Sequence, residues 1–195
     1  MNLPNKISLT RICMIPVFVL IFFLDIPFNY GIAAILFALA ACTDFIDGHI
    51  ARSRGLVTNL GKFLDPIADK VLVATAMILL LTSPVFAAFG YKAVQAVYIV
   101  TAISICIILA RELIISAFRQ IAAANGVVMA AEKLGKYKTA CQDVAIFVLL
   151  LAADMGKAAT AFAWIGFVLF MAATILTVWS GITYVVKNKQ VLKDA

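Results

Sequence analysis

Charge is scarce in this chain. Only 13% of its 195 residues are Asp, Glu, Lys or Arg, and 65% are hydrophobic, whereas a soluble domain is about a quarter charged and about half apolar. That excludes an ordinary soluble domain, and it excludes a disordered chain more firmly. Histidine occurs once, as His49, and no Ser-His-Asp or Cys-His arrangement is evident. The four cysteines, Cys13, Cys42, Cys106 and Cys141, form no C-x-x-C pair and show no zinc-ligand spacing, so they are expected to be small buried apolar residues. Internal repeats and low-complexity tracts are absent. The punctuating residues Pro27, Gly31, Pro84, Gly90 and Gly156 are expected in short loops.

What is present is a series of long uncharged stretches. Residues 12–24, 26–43, 71–91, 93–110, 144–153 and 158–186 contain no Asp, Glu, Lys or Arg. A helix needs about 20 apolar residues to cross a hydrocarbon core of about 30 Å, and polar-tolerant ends bring the shorter runs to that length. The expected fold is all-α: one polytopic membrane domain over 1–195, with six transmembrane helices near 7–25, 31–53, 62–83, 93–120, 136–154 and 159–186. Lys6 and Arg11 ahead of the first run imitate a secretory signal, but further spans follow it, so it reads as an uncleaved first span.

Orientation follows from the distribution of Lys and Arg. With the N-terminus inside, one side of the membrane holds Lys6, Arg11, Arg52, Arg54, Lys62, Lys70, Arg111, Arg119, Lys133, Lys136, Lys138, Lys187, Lys189 and Lys193, and the other holds only Lys92 and Lys157. Cytoplasmic loops carry the positive excess, so both termini are expected in the cytoplasm. The net charge of +6 is then largely a topology signal with attraction to anionic membrane lipid, and no nucleic-acid partner is expected.

The carboxylates are not explained by topology. Asp44, Asp47, Asp65 and Asp69 gather at the cytoplasmic ends of two successive spans. An acid at that depth needs a partner or water, which makes it a functional candidate. The 44/47 pair is spaced i, i+3 and the 65/69 pair i, i+4, so each pair shares a helical face. Four converging carboxylates need compensating cations, and hard oxygen ligands suit Mg²⁺ or Mn²⁺, with enough ligands for two ions. A solvated loop paired with Arg52, Arg54, Lys62 and Lys70 is the alternative, but it does not require two same-face pairs. Gly48 and Gly61 leave room for a ligand or neighbouring helix, and Arg52 offers a planar donor fork for phosphate. Pro66 fits an early or kinked helical turn.

Residues 44–69 read DFIDGHIARSRGLVTNLGKFLDPIAD, which is D-x-x-D-G-x-x-A-R-x(8)-G-x(3)-D-x(3)-D. This resembles the signature of the CDP-alcohol phosphatidyltransferases at every fixed position. The resemblance implies a six-helix membrane enzyme, usually dimeric, that transfers a phosphatidyl group from CDP-diacylglycerol to an alcohol and releases CMP. It further implies that Asp44, Asp47, Asp65 and Asp69 are metal ligands, with Asp69 also the catalytic base. Asp47, Gly48, Arg52, Thr58 and Gly61 then match positions at the CDP moiety, and Asn5, Ser8 and Arg11 in PNKISLTR resemble a segment that closes over the diphosphate. His49 occupies a variable position, consistent with packing.

A second charge cluster, Arg111 to Lys138, bears on the acceptor. Arg111 and Arg119 share a broad helical face, and with Lys136 they are candidates for binding a phosphate-bearing alcohol. Lys133 and Lys138 read as loop cations at the lipid headgroups. Glu112 points about 100° away from Arg111 and is expected to be a poor partner for it. NLPNKISLTRI, ARELIISAFR and EKLGKYKT resemble the bacterial phosphatidylglycerophosphate synthase branch. That implies glycerol 3-phosphate as acceptor, in a multi-pass protein of the bacterial inner membrane whose active site faces the cytoplasm. Inositol phosphate, serine or phosphatidylglycerol are other acceptors of the class, and a divalent-cation transport path is a reading from a different class.

Overall fold

The computed structural model describes residues 3–53, 59–124 and 133–188, and among them there are six α-helices and no strand. The helices are α1 Leu3–Phe23, α2 Asn29–Ser53, α3 Asn59–Leu80, α4 Val94–Ala124, α5 Lys133–Ala152 and α6 Ala159–Lys187. A 3₁₀ segment, Pro84–Phe89, lies between α3 and α4, with Ser83 accepting from the Val85 N–H at its start. The apolar runs therefore each form a helix, and the differences lie at the ends. α1 begins four residues earlier than hydropathy suggests, because Pro4 falls in a first turn where its missing N–H is not needed. Asn5, Ser8 and Arg11 are consequently all helical. Gly31 lies inside the first turn of α2 rather than before it.

The interior is built from small and aromatic side chains. Ala33, Ala34, Ala68, Ala76, Ala145, Ala163 and Ala173 are fully buried beside Phe18, Phe37 and Phe170, and small residues let helices approach closely where lipid removes the usual hydrophobic drive for association. α5 and α6 make the most extensive contact, followed by α1 with α2, and α3 touches α1, α2, α4 and α5. At Gly166 of α6 an added Cβ would lie 2.7 Å from Leu149 Cγ and 3.2 Å from Leu149 N on α5, so that contact depends on the absence of a side chain.

The outward faces are apolar. Leu20, Phe23, Ile35, Leu39, Ile78, Ile103, Leu113, Ile175, Trp179 and Ile182 are all exposed, far beyond the apolar patch a soluble monomer presents. Buried hydroxyls turn back on their own helices: Thr101 to Val97 O at 2.8 Å, Ser104 to Val100 O at 2.8 Å, Thr174 to Phe170 O at 2.9 Å and Thr177 to Ala173 O at 2.6 Å. Intrahelical satisfaction of this kind suits a medium without water. By length and composition two segments among the described residues are able to cross a membrane, Val94–Ala123 and Gly156–Lys187, while Ile7–Phe23 and Asn29–Thr43 are shorter apolar helices. The remaining lengths of α1, α2, α3 and α5 are interrupted by charged residues toward one end.

The cysteines correct an expectation. Cys13, Cys42 and Cys106 are exposed on the bundle's surface, and only Cys141 is part-buried, near Leu169 O. A helix surrounded by lipid is apolar on both its inner and outer faces, so hydrophobicity alone does not tell which way a cysteine points.

Candidate active site at the polar end of the bundle

The helices place the four signature positions toward one end of the molecule. Asp44 and Asp47 lie in the C-terminal part of α2, and Asp65 and Asp69 in the N-terminal half of α3, which packs on α2. Helical backbone runs through both pairs, so each shares a face as its spacing predicts. The side chains of Asp44, Asp47, Arg52, Asp65 and Asn5, the surroundings of Gly48 and Gly61, and all of Thr58 lie outside the described residues. Asp69 is described. It is part-buried between the fully buried Ala68 and Leu72.

α1 closes this end from the side. Ser8 and Arg11, three residues apart on one face, are both buried, and Arg11 is only 1% exposed. Arg11 Nε donates to Ala40 O at 3.2 Å and to Thr43 Oγ1 at 3.4 Å, while Thr43 Oγ1 donates to Ala40 O at 2.7 Å. A buried guanidinium thus engages α2 in the residues just before Asp44, which fixes the helix where the carboxylates begin.

Next to the carboxylates lies a cluster of charged residues that sequence reading only partly identifies. Glu112 Oε1 accepts from Arg111 Nη1 at 3.2 Å and pairs with Lys138 Nζ of α5. Arg111 Nη2 donates to Ser180 Oγ of α6 at 3.0 Å, and Ser180 Oγ donates in turn to Thr177 O at 3.2 Å. Lys70 of α3, the neighbour of Asp69, reaches Ser116 Oγ of α4, which donates to Glu112 O at 2.5 Å. Two cations, from α4 and α5, therefore meet at one carboxylate, and a third, Lys70 of α3, reaches the same residue's main chain through Ser116. Gly181 makes room for Arg111, since a Cβ there would lie 3.0 Å from Arg111 Cγ and 3.3 Å from Nε.

Two expectations are corrected here. Glu112 does pair with Arg111: the helical phase sets where Cβ points, but a long guanidinium side chain folds back across that angle. Lys138 is not a loop cation at the headgroups. It is 4% exposed and faces inward, because α5 already begins at Lys133 and carries it into the bundle. Of the three acceptor candidates, Arg111 is in the cluster. Arg119, eight residues on and hence about 12 Å along α4, donates from Nε to Tyr184 Oη at 3.1 Å and stacks over that ring at 5.3 Å, and Lys136 is exposed.

One turn deeper on α5 than Lys138, Gln142 is buried, with Nε2 3.6 Å from Met77 Sδ and no donor to its Oε1 among the described residues. A buried amide oxygen in that state calls for water or a hydroxylic ligand at that depth. Lys138, Glu112, Lys70, Ser116, Ser180 and Gln142 all escape a sequence reading for one reason. Each gains its meaning from a residue on another helix.

Among the described side chains, the arrangement sets Asp69 of α3 beside Lys70, which leads through Ser116 to the cations Arg111 and Lys138. Against a family model, residues 1–179 match the CDP-alcohol phosphatidyltransferases. The chain belongs to that family. Similar proteins include the CDP-diacylglycerol–glycerol-3-phosphate 3-phosphatidyltransferases of Bacillus subtilis (37% identical, over 100% of this chain and 98% of the relative), Rickettsia bellii (37%, 94% and 93%) and Shigella flexneri serotype 5b (37%, 99% and 98%). The chain is thus a phosphatidyltransferase, of a family that generally depends on divalent metal. Among the described residues no group of three or more His, Cys, Asp or Glu gathers as for a metal ion, and of the four signature acids only the Asp69 side chain is described; the acid spacing on α2 and α3 has the hard-oxygen chemistry that Mg²⁺ or Mn²⁺ takes.

Proposed function

We propose that this phosphatidyltransferase moves the phosphatidyl group of CDP-diacylglycerol to the 1-hydroxyl of sn-glycerol 3-phosphate, giving phosphatidylglycerophosphate and CMP. The observation that carries the reading is the junction at Asp69–Lys70. One helix bears the innermost signature carboxylate and, through Lys70 and Ser116, touches the cluster of Arg111, Glu112 and Lys138. A metal-binding acid and a phosphate-binding cation group so joined suit a diphosphate donor and a phosphorylated acceptor. The names of the relatives agree with this donor and acceptor.

In this mechanism Asp44, Asp47, Asp65 and Asp69 would hold two Mg²⁺ or Mn²⁺ ions, which would supply charge neutralisation for the diphosphate and the leaving CMP. Arg52 adds a donor fork to the same oxygens. Asn5, Ser8, Arg11, Gly48, Thr58 and Gly61 bound the CDP moiety, with Arg11 holding α1 onto α2. Lys138 and Arg111 bind the acceptor's phosphate, with Arg119 and Lys136 guiding it from the cytoplasm. The acceptor's 1-hydroxyl oxygen attacks the β-phosphorus in line, the bond from that phosphorus to the CMP oxygen breaks, and the Asp69 carboxylate takes the hydroxyl proton. No enzyme nucleophile is needed.

The membrane setting completes the proposal: six spans, both termini in the cytoplasm, the site facing the cytoplasm from the bacterial inner membrane, and a homodimer. Support comes from the placement of nearly all Lys and Arg at the site's end of the bundle, with Lys92 and Lys157 at the other. Exposed Tyr137 and Trp179 near the first end, and Tyr91 and Trp164 near the second, suit the aromatic belts of a spanning protein.

The test is acceptor-dependent CMP release. Purified protein with CDP-diacylglycerol and Mg²⁺ is expected to release CMP when glycerol 3-phosphate is added. Release only with inositol phosphate, serine or phosphatidylglycerol would reassign the acceptor.

A further inference from the structure

The proposed reaction leaves a part-buried acid on α4 unused. Glu112 sits among cations that a phosphate acceptor needs, and its position is unusual in what it connects. Arg111 is engaged through both terminal nitrogens, Nη1 on Glu112 and Nη2 on Ser180 of α6, while its buried Nε, beside Gly181, has no acceptor among the described residues. It is therefore seated between α4 and α6. Lys138 has used one of its three N–H donors, on Glu112, and the Lys side chain is 5% exposed. Its other two donors have no acceptor among the described residues and are open to a ligand.

We propose that Glu112 is a positioning residue for the acceptor's phosphate: anchored to α6 through Arg111 and Ser180, it draws the ammonium of Lys138 across from α5 to the Ser116–Lys70 contact. This deepens the proposed function and rests on it. Without the carboxylate, Lys138 faces the Arg111 guanidinium with nothing between them, and like charges in a water-poor site separate. With it, three cations are balanced by a single acid, and the surplus positive charge matches a phosphate carrying close to two negative charges. Glu112 thus makes the pocket select a dianion at one position rather than hold loose anions anywhere. Gly181 belongs to the same device, because any side chain there displaces the arginine that anchors the acid.

The experiment is a double-mutant cycle on the full-length protein in detergent or nanodiscs, using Glu112→Gln, Lys138→Met and the pair, with the KM for glycerol 3-phosphate and for CDP-diacylglycerol measured separately. Glu112→Gln is expected to raise the glycerol 3-phosphate KM by about tenfold or more and leave that for CDP-diacylglycerol within about twofold, since the charged partner of a buried binding cation is lost. In the Lys138→Met background the same change is expected to add less than about twofold, because residues acting through one another are not additive. Additive effects, or equal rises in both KM values, would overturn the positioning role. Glu112→Asp, which keeps the charge, is expected to recover part of the acceptor affinity; recovery by Gln instead would contradict the proposal. If wild-type protein releases no CMP with glycerol 3-phosphate, the acceptor assignment itself fails, which is a separate result.

Discussion

In the proposed reaction Asp69 is the residue on which the chemistry turns. It is part-buried on α3, its neighbour Lys70 reaches the cation cluster, and it ends the series of signature carboxylates. Asp69→Asn is expected to reduce turnover by at least about a hundredfold, the scale of a lost general base, while the protein stays folded by its thermal transition and still binds at least one metal ion by titration. Full activity would remove Asp69 from the base role. Lys138→Met is expected to weaken glycerol 3-phosphate about tenfold or more with little effect on CDP-diacylglycerol, read as separate KM values. Arg111→Ala shifts the same KM, but it also loosens α4 from α6, because Ser180 and Gly181 are fitted to that side chain. At this scale the sequence exposed the four acids through their spacing and fixed motif. It hid Glu112 and Lys138, since neither their charge nor their phase shows that a guanidinium folds back or that α5 starts early enough to bury an ammonium.

Two close fits hold the elements together, at opposite ends of the packing problem. Gly166 admits Leu149 of α5 against α6, and an Ala there brings a Cβ within 2.7 Å of Leu149 Cγ, close to the α5 backbone. Gly166→Ala is expected to destabilise the protein by about 1–3 kcal/mol, the usual scale of overpacking, seen as a lower melting temperature in detergent. At the end away from the site, Asp154 Oδ2 in the α5–α6 connection accepts from the Gly31 N–H in the first turn of α2 at 2.6 Å. Asn29 Nδ2 donates to Phe22 O at 2.8 Å in the adjoining turn, where Phe28 has φ 60°. An acid at a helix N-terminus offsets unpaired N–H groups and the helix dipole. Asp154→Ala is expected to cost about 1 kcal/mol and to leave both substrate KM values unchanged. The helices themselves were legible from uncharged runs. The Asp154 bridge was not, because it joins residues more than a hundred positions apart in a chain where one acid in a loop looks like any other.

For the whole molecule, the scarcity of charge becomes an organisation. Acids and cations collect where α2, α3, α4 and α5 meet at one end, while the outward faces and the remaining length of α4 and α6 are apolar. Exposed Cys13, Cys42 and Cys106 show why inside and outside were not separable from composition: lipid and protein interior ask for the same residue types. A water-soluble alcohol and a membrane-held nucleotide lipid both reach such an end, and the central claim is that they react there. The most direct measurement follows isotope-labelled glycerol 3-phosphate with purified protein, CDP-diacylglycerol and Mg²⁺. The account predicts that the label enters an organic-extractable phospholipid in one-to-one proportion with CMP, and that Asp69→Asn stops both. Label that stays in the aqueous phase while another alcohol drives CMP release would contradict it.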